Sequence, residues 1–545
     1  MLIRPCHRPI VASFLPSSLS RCHSTTPTPK SHKITTILTG AGAALNKTHV
    51  LAALHDSLSL SRGVRAAGKP FDAALILASR SLTSWLDDPS FVGPLVRMTG
   101  QDVTGSSVPP AGGVSVLSAV VEGLGLPSQR EEEVSAEGFA VVQGYRDELL
   151  PGLWEGREGE GVRARRGDGR AGLVFRVAGL GVKGVEGEEM DVTVPVANTV
   201  FQNGRTSTLF AARWAGTTWR NFQAVERVDV GSQVVRVPIE GGEQTGVSVP
   251  LVSITPLRTV KSALGNILKK VEIGGEAAPA SKELEENVPK LLESRRKMGL
   301  GDIQGPLNVW ALVVPARLKG MWKAEVLDLL DLQPLLREGC RLHRVLSGGG
   351  GWGAKQGLLS LDPEARFETT DEEDVESFER DFLAGQNGGS GGGSVVGPGD
   401  EVVFCVDTGT YPKSSALVEQ ERGPKRFVVK VRPETAEEVP YQRLGDVGMQ
   451  RLDDFFGVVS TAMFVAPDTA RDGEQSGMAA SMKIDTPGSE LFILGKAAEL
   501  ETEVDTPVPE NELQVPPEYG SHESVSDFDE VLRKHELQWA NIVKG

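Results

Sequence analysis

An α/β (α+β) body, in which mixed sheets carry helices and one block is β-rich and antiparallel, is the fold class this sequence predicts. Three observations carry it. Short apolar runs alternate with amphipathic stretches through the first third of the 545 residues, the mark of strands interleaved with helices. A middle block concentrates β-branched residues between glycine-containing turns, as antiparallel strands do. Three stretches have little to bury and read as flexible linkers: the Gly/Arg/Glu run 156–170, the Gly/Ser run 385–399 behind the acidic residues 371–376, and the acidic, proline-rich 498–527.

In the first block, residues 35–43 predict a strand ending at Gly40 and Gly42, and 48–60 a helix. Residues 71–79 are an unbroken apolar run, the signature of a strand covered on both faces. Residues 82–98 predict a helix interrupted by Pro89 and Pro94, and 113–121 another apolar strand after the Pro109-Pro110 turn. In the second block, 192–201 and 206–214 flank Gln202-Asn203-Gly204-Arg205. Asn-Gly favours a tight hairpin because both turn positions need positive φ. Residues 222–230, 233–239 and 248–254 predict further strands.

Beyond Pro256 the spacing turns helical, with Leu257, Val260, Leu264, Ile267, Leu268 and Val271 on one face. A second helix is predicted from an N-cap at Ser281, with Glu283, Glu285 and Glu286 in its first turn and Arg295, Arg296 and Lys297 in its last, the polarity that the helix dipole favours. Residues 307–314 predict a buried strand, 324–342 a helix bent at Pro334, and 401–407 and 426–432 two strands; 455–465 and 491–494 close the ordered body. Residues 528–543 predict a short helix that docks on the body or on a partner. The domain order is then a leader at 1–23, an α/β domain at 34–255, a second α/β domain at 256–465 with the flexible insert 385–399, and an acidic, mostly disordered tail at 466–545. No period of 20–50 residues repeats, which excludes a solenoid or propeller.

The leader is read from charge. There is no Asp or Glu before Asp56, while Arg4, Arg8, Arg21, Lys30, Lys33 and Lys47 are interspersed with serines, the composition of a mitochondrial presequence. Arg21-Cys22-His23-Ser24 fits processing that leaves Ser24 first, with the matrix as destination. Loss of residues 1–23 removes three arginines and no acids, moving the formal charge from −16 to −19. A field of that sign opposes nucleic-acid binding as a main activity. The longest apolar runs, 71–79, 307–315 and 455–467, fall short of the ~18–20 residues a transmembrane helix needs. Cys340 and Cys405 remain after the leader, too few for a disulfide scaffold and set among apolar residues as core thiols are.

The most distinctive motif is Gly348-Gly349-Gly350-Gly351-Trp352-Gly353-Ala354-Lys355. Consecutive glycines let backbone amides approach an anion, and Lys355 adds a charge. A phosphate loop, however, follows a strand and places Lys directly after glycine and before Ser or Thr. Here Ala354 and Gln356 flank the lysine, so a structural turn anchored by Trp352 is the alternative. Ser390 matches Gly-x-Ser-x-Gly but lies in flexible glycine, which cannot form a strained strand-to-helix elbow. Cys340 and His343 supply two of the four ligands a structural zinc needs, and a buried thiol beside a surface imidazole is the simpler reading. His49, His55 and Asp56 read as helix-surface residues.

The succession Phe71-Asp72-Ala73-Ala74-Leu75-Ile76-Leu77-Ala78-Ser79, a helix, Val103-Thr104-Gly105-Ser106-Ser107-Val108, and Gly112-Gly113-Val114-Ser115-Val116-Leu117 resembles the N-terminal half of FIST domains. The likeness spans at most residues 34–320, and 156–170 departs from it as an insertion. FIST modules are regarded as sensory domains for small ligands such as amino acids and occur in bacterial signalling proteins and some eukaryotic F-box proteins. The resemblance implies a small-ligand-binding, sensory protein; the residues themselves display no catalytic set and specify no cofactor. Two alternatives stay open: a matrix assembly factor whose acidic tail and terminal helix engage a basic protein partner, and an enzyme that holds a phosphate-bearing ligand at 348–357.

Overall fold

Every residue of Ala73–Ser79 is buried, which only a strand inside a sheet covered on both faces allows. The structure is a computed structural model and describes residues 32–39, 46–60, 70–100, 108–125, 136–155, 170–178, 189–237, 243–248, 251–297, 307–321, 335, 338–348, 357–364, 367, 395–407, 428–433, 441–444, 449–467, 482–484 and 489–494. The first third holds β1 (His32–Thr39), α1 (Lys47–Leu60), β2 (Ala73–Ser79), α2 (Thr83–Leu86), α3 (Pro89–Gly100), β3 (Val114–Val121), β4 (Gly123–Leu124), β5 (Glu137–Gly144) and α4 (Arg146–Leu149). Next come β6 (Gly172–Ala178), β7 (Glu189–Pro195), β8 (Asn198–Thr199), α5 (Val200–Asn203), β9 (Arg205–Ser207), β10 (Leu209–Ala215), β11 (Gln223–Asp229), β12 (Ser232–Arg236), β13 (Glu243–Ser248) and β14 (Leu251–Ser253). A third group is β15 (Arg258–Leu264), β16 (Ile267–Ile273), β17 (Glu276–Pro279), α6 (Lys282–Lys297), β18 (Val309–Val314), β19 (Arg341–Gly348), β20 (Leu359–Leu361) and β21 (Glu401–Asp407). The last is β22 (Val428–Pro433), β23 (Tyr441–Leu444), β24 (Met449–Asp453), β25 (Phe455–Ser460), β26 (Met463–Pro467), β27 (Met482–Ile484) and β28 (Ser489–Leu494). Strand outweighs helix, and among the described residues only β2–β3, β6–β12 and β22–β28 pair in parallel. The class is α+β, as predicted.

The main sheet has the order β11-β10-β3-β2-β5-β1-β24-β23. One face packs against α1 and α3 through Val50, Leu54, Phe91 and Leu95, where Phe91 and Trp85 meet Phe139 of β5 at ring-centroid distances of 4.8 and 5.3 Å. The other face shares one apolar core with two five-stranded sheets, β12-β6-β7-β26-β27 and β13-β22-β28-β25-β4. The arrangement is layered because each sheet face is apolar and must find another layer.

The remaining strands close on themselves. β18 pairs with β19 and β21, β19 with β20, β20 with β16, β16 with β15, and β15 with β21, all antiparallel. The result is a six-stranded barrel. Val260, Leu268, Val271, Ala311, Val313, Leu361, Val402 and Phe404 form its core together with Leu284 and Leu291 of α6. The alternate residues Trp310, Leu312, Leu342, Val403 and Cys405 leave the barrel outward and join the common core.

Several elements differ from the sequence reading. The helix expected from Leu257 to Val271 is the β15–β16 hairpin, turned at Gly265 with φ +58°. Register shifts after Val260 and after Ser262 break the two-residue alternation of β15, and bulges of that kind can counterfeit a helical period. The hairpin about Asn203-Gly204 forms, with β8 pairing antiparallel to β9, but its turn is longer than two residues: Val200–Asn203 coil into one helical turn capped by Gly204 in the left-handed conformation. Asn203 directs this, accepting the Arg205 N–H at 3.2 Å and donating to Thr208 Oγ1 at 2.9 Å. The expected helix 324–342 ends as strand β19 at Arg341, where Leu342 pairs with Leu312 of β18; residues 322–334 lie outside the described residues. Residues 455–465, expected to help close the ordered body, lie over two strands, β25 and β26, in different sheets.

Pairing also crosses the expected domain boundaries. β24, β26 and β22 pair with β1, β7 and β13, so strands from 428 onward complete sheets begun before 256. β27 and β28 extend the ordered body past 465. Residues 1–23, 156–169, 385–394 and 498–545, with the expected terminal helix 528–543, lie outside the described residues.

Candidate functional site

Of the glycine-loop residues, Gly348 is described; Gly349, Gly350, Gly351, Trp352, Gly353 and Lys355 lie outside the described residues. The segment is entered by a strand, not by the helix expected. It is also left by one, since Gly348 of β19 pairs with Leu359 of β20. A P-loop leads from a strand into a helix N-terminus, whereas the next described element here is the strand β20. Glycine at both ends is required by packing. A Cβ on Gly348 would come within 2.2 Å of the Leu359 side chain, and one on Gly357, at φ +79°, within 2.5 Å of Pro279.

The other sequence candidates separate. Cys340 contributes to the common core with Leu342, whereas His343 pairs with Ala311 of the barrel core. Three positions apart on a strand place two side chains on opposite faces, so the two cannot share a metal. The imidazole is buried, 3% exposed, where the sequence suggested a surface residue. Burial pushes the Cys340 thiol up to about 12 and the Cys405 thiol in the same direction; thiols so disfavoured as thiolates are poor nucleophiles. His49 is exposed, as are His55 and Asp56, 3.8 Å apart. Ser390 lies outside the described residues. Among the described residues no group of His, Cys, Asp and Glu has metal-holding geometry, and no helix is long and apolar enough to cross a membrane.

A polar cluster that sequence reasoning missed sits on the main sheet. β2 and β3 are parallel, and β5 runs antiparallel to both β2 and β1. The chain therefore leaves β1, β2 and β3 on one edge and enters β5 there. Thr39 lies opposite Glu137, and Ser79 opposite Val121. In open sheets with parallel strands, this carboxyl edge is where ligands bind.

Local chemistry builds the cluster at that edge. Ser79 ends the apolar run and donates to Glu137 Oε2 at 2.5 Å, while accepting the Gly138 N–H at 2.9 Å. Ser81 donates to the same carboxylate oxygen. Thr39 Oγ1 donates to the Glu137 carbonyl at 3.1 Å. Gly138 allows this approach, because a Cβ there would lie 2.0 Å from the Ile37 carbonyl oxygen. Arg80 begins a short 3-10 turn in which Thr83 Oγ1 donates to the Arg80 carbonyl at 2.6 Å. Its guanidinium lies 3.6 Å from Glu122, and its Nε is buried without a hydrogen-bond partner.

Two carboxylates, one guanidinium and three hydroxyls thus converge from four chain segments. Ser79 is fully buried and both its hydrogen-bonding roles are in use, so it positions Glu137 and has no exposed oxygen for nucleophilic attack. The sequence signal for half of the site was Ser79-Arg80-Ser81 at the end of an apolar strand. Glu137 gave none, because only the β1–β5–β2 register brings it there. No protein-family model matches the chain, no curated protein matches it in sequence and no solved structure matches it in fold.

Proposed function

We propose that this chain is a mitochondrial small-ligand-binding protein of sensory type, with its ligand seated on the carboxyl edge formed by β1, β2 and β3. The single observation that carries the reading is the convergence of Thr39, Ser79, Arg80, Ser81, Glu122 and Glu137 on that edge. Hydrogen-bonding groups held in fixed positions are what a preorganised binding site needs. Ser79, buried and bonded to both Glu137 and Gly138, serves as a positioning group, and we read the exposed Ser81–Glu137 pair as a ligand-binding hydroxyl and carboxylate. The resemblance of residues 71–79 and 112–117 to FIST modules supports the same class, and the acid-free leader supports the location.

A thermal-shift panel of amino acids and nucleotides tests the reading. A true ligand at ~100 times its Kd raises stability by about 2.7 kcal/mol, and Glu137→Gln should remove most of that rise while leaving the unliganded melting temperature near that of the parent. A response confined to ATP or phosphate esters, retained in Glu137→Gln and lost in Lys355→Ala, would transfer the site to the glycine loop. A panel with no response would count against binding altogether. For the location, residues 1–40 fused to a fluorescent protein should reach mitochondria with processing near Ser24; cytosolic retention would remove that part of the proposal.

A further inference from the structure

The barrel contains one polar ring in an apolar interior. His343 of β19 lies opposite Ala311 and shares a strand face with Val345, both part of the barrel core. Its Nδ1 is 3.0 Å from the Asp362 carbonyl oxygen. That contact makes Nδ1 the protonated nitrogen of a neutral ring and leaves Nε2 as a bare acceptor. Nε2 is buried and has no hydrogen-bond partner. Burial pushes the imidazole down to about 4, with Arg341 lowering it further and the Asp362 contact opposing.

The carbonyl that holds the ring directly follows the shortest strand of the barrel wall. β20 is three residues long and pairs with β16 at only Ile267↔Ser360 and Leu268↔Leu359. Its pairing with β19 is broken by a register shift between Val345 and Ser347. Directly after β20, Asp362 and Glu364 both bind Lys483 of β27, Asp362 at 3.0 Å, and Glu364 also meets Arg170 at 2.7 Å. The segment straps the barrel to the five-stranded sheet containing β27.

We propose that this seam is proton-operated: charging His343 releases β20 and the Asp362–Glu364 strap from β19 and from β27. The reason is the set of charges around the ring. Arg341, on the same strand, opposes the charged form of the ring. The carboxylates that follow β20 are committed, Asp362 and Glu364 both to Lys483. A proton added at Nε2 would be a buried charge without an acceptor, which is relieved only by exposing the ring to water. Opening at β20, the shortest strand of the barrel, separates few paired residues.

The direction follows from linkage. The open seam takes up a proton as pH falls through the ordinary imidazole range near 6.5, whereas the closed seam resists until about pH 4. Closure is therefore fully favoured above pH 6.5 and is lost progressively between 6.5 and 4. From pH 7.5 to 5 the open population should rise roughly thirty-fold.

Hydrogen exchange of the full chain at the two pH values, corrected for intrinsic rates, tests this. Residues 357–364 and 482–484 should lose protection together by that factor, while β2 keeps its protection. In His343→Gln, whose side chain cannot titrate, the rise should shrink to within about twofold; His343→Leu serves as a second non-titrating variant. In the unaltered chain, exchange of the His343 ring C2 proton should titrate well below pH 6.5. The proposal is overturned if the wild-type seam is equally protected at both pH values, if a folded non-titrating variant opens as the wild type does, or if the ring proton titrates near 6.5.

Discussion

The main sheet and the barrel bury their strands in different ways. β2 has Leu75, Leu77 and Ala73 in the core shared with the small sheets and Ile76 and Ala78 in the core under α1 and α3. It is covered on both faces, so every position up to the terminal Ser79 is apolar. β16 has one covered face: a bulge at Lys269, where the register passes from Lys270↔Ser262 to Leu268↔Ala263, turns both Leu268 and Val271 into the barrel and leaves Lys270 exposed. A strand of the first kind draws stability from each side chain, and one of the second kind from about half of them.

Paired substitutions sharpen that contrast. The larger effect is expected on β2, where Leu75→Ala and Ile76→Ala, neighbours on opposite faces, should each cost about 2–5 kcal/mol in urea unfolding. If one of the two were tolerated, the sheet would have a solvated face and the two-layer description would fail. On β16 the effect should alternate: Leu268→Ala loses about 2–5 kcal/mol, but Lys270→Ala stays within about 0.5 kcal/mol. Comparable losses at both positions would show that β16 is covered on its outer face as well and would erase the distinction.

The same contrast explains what could be read from the chain. Two-sided strands announce themselves, and residues 71–79, 113–121, 307–314 and 401–407 were each predicted as strands and lie over β2, β3, β18 and β21. The helix from Ser281 was legible too, because charge placement at its two ends is a local signal; Ser281 Oγ donates to Glu285 at 2.7 Å at its start. One-sided barrel strands were harder. Leu257, Val260 and Leu264 fall at helical spacing along β15 and the residue before it, although Leu264 is 60% exposed, which a buried helical stripe would not allow. For the site, Ser79, Arg80 and Ser81 stood in view at a strand end. Their partner Glu137 lies 58 residues from Ser79, beyond the reach of any local pattern.

By itself the sequence determined the class of the fold, the two-sided strands and the charge-polarised helix from Ser281, because burial on both faces and helix-end charge are written in contiguous residues. Tertiary structure alone decided which strands pair. It carried β24, β26 and β22 back to β1, β7 and β13, closed six antiparallel strands into a barrel, turned His343 into its interior and set Glu137 against Ser79. Pairing is chosen by how whole apolar faces fit together across the chain, and a polar side chain acquires its role only when that register gives it a neighbour.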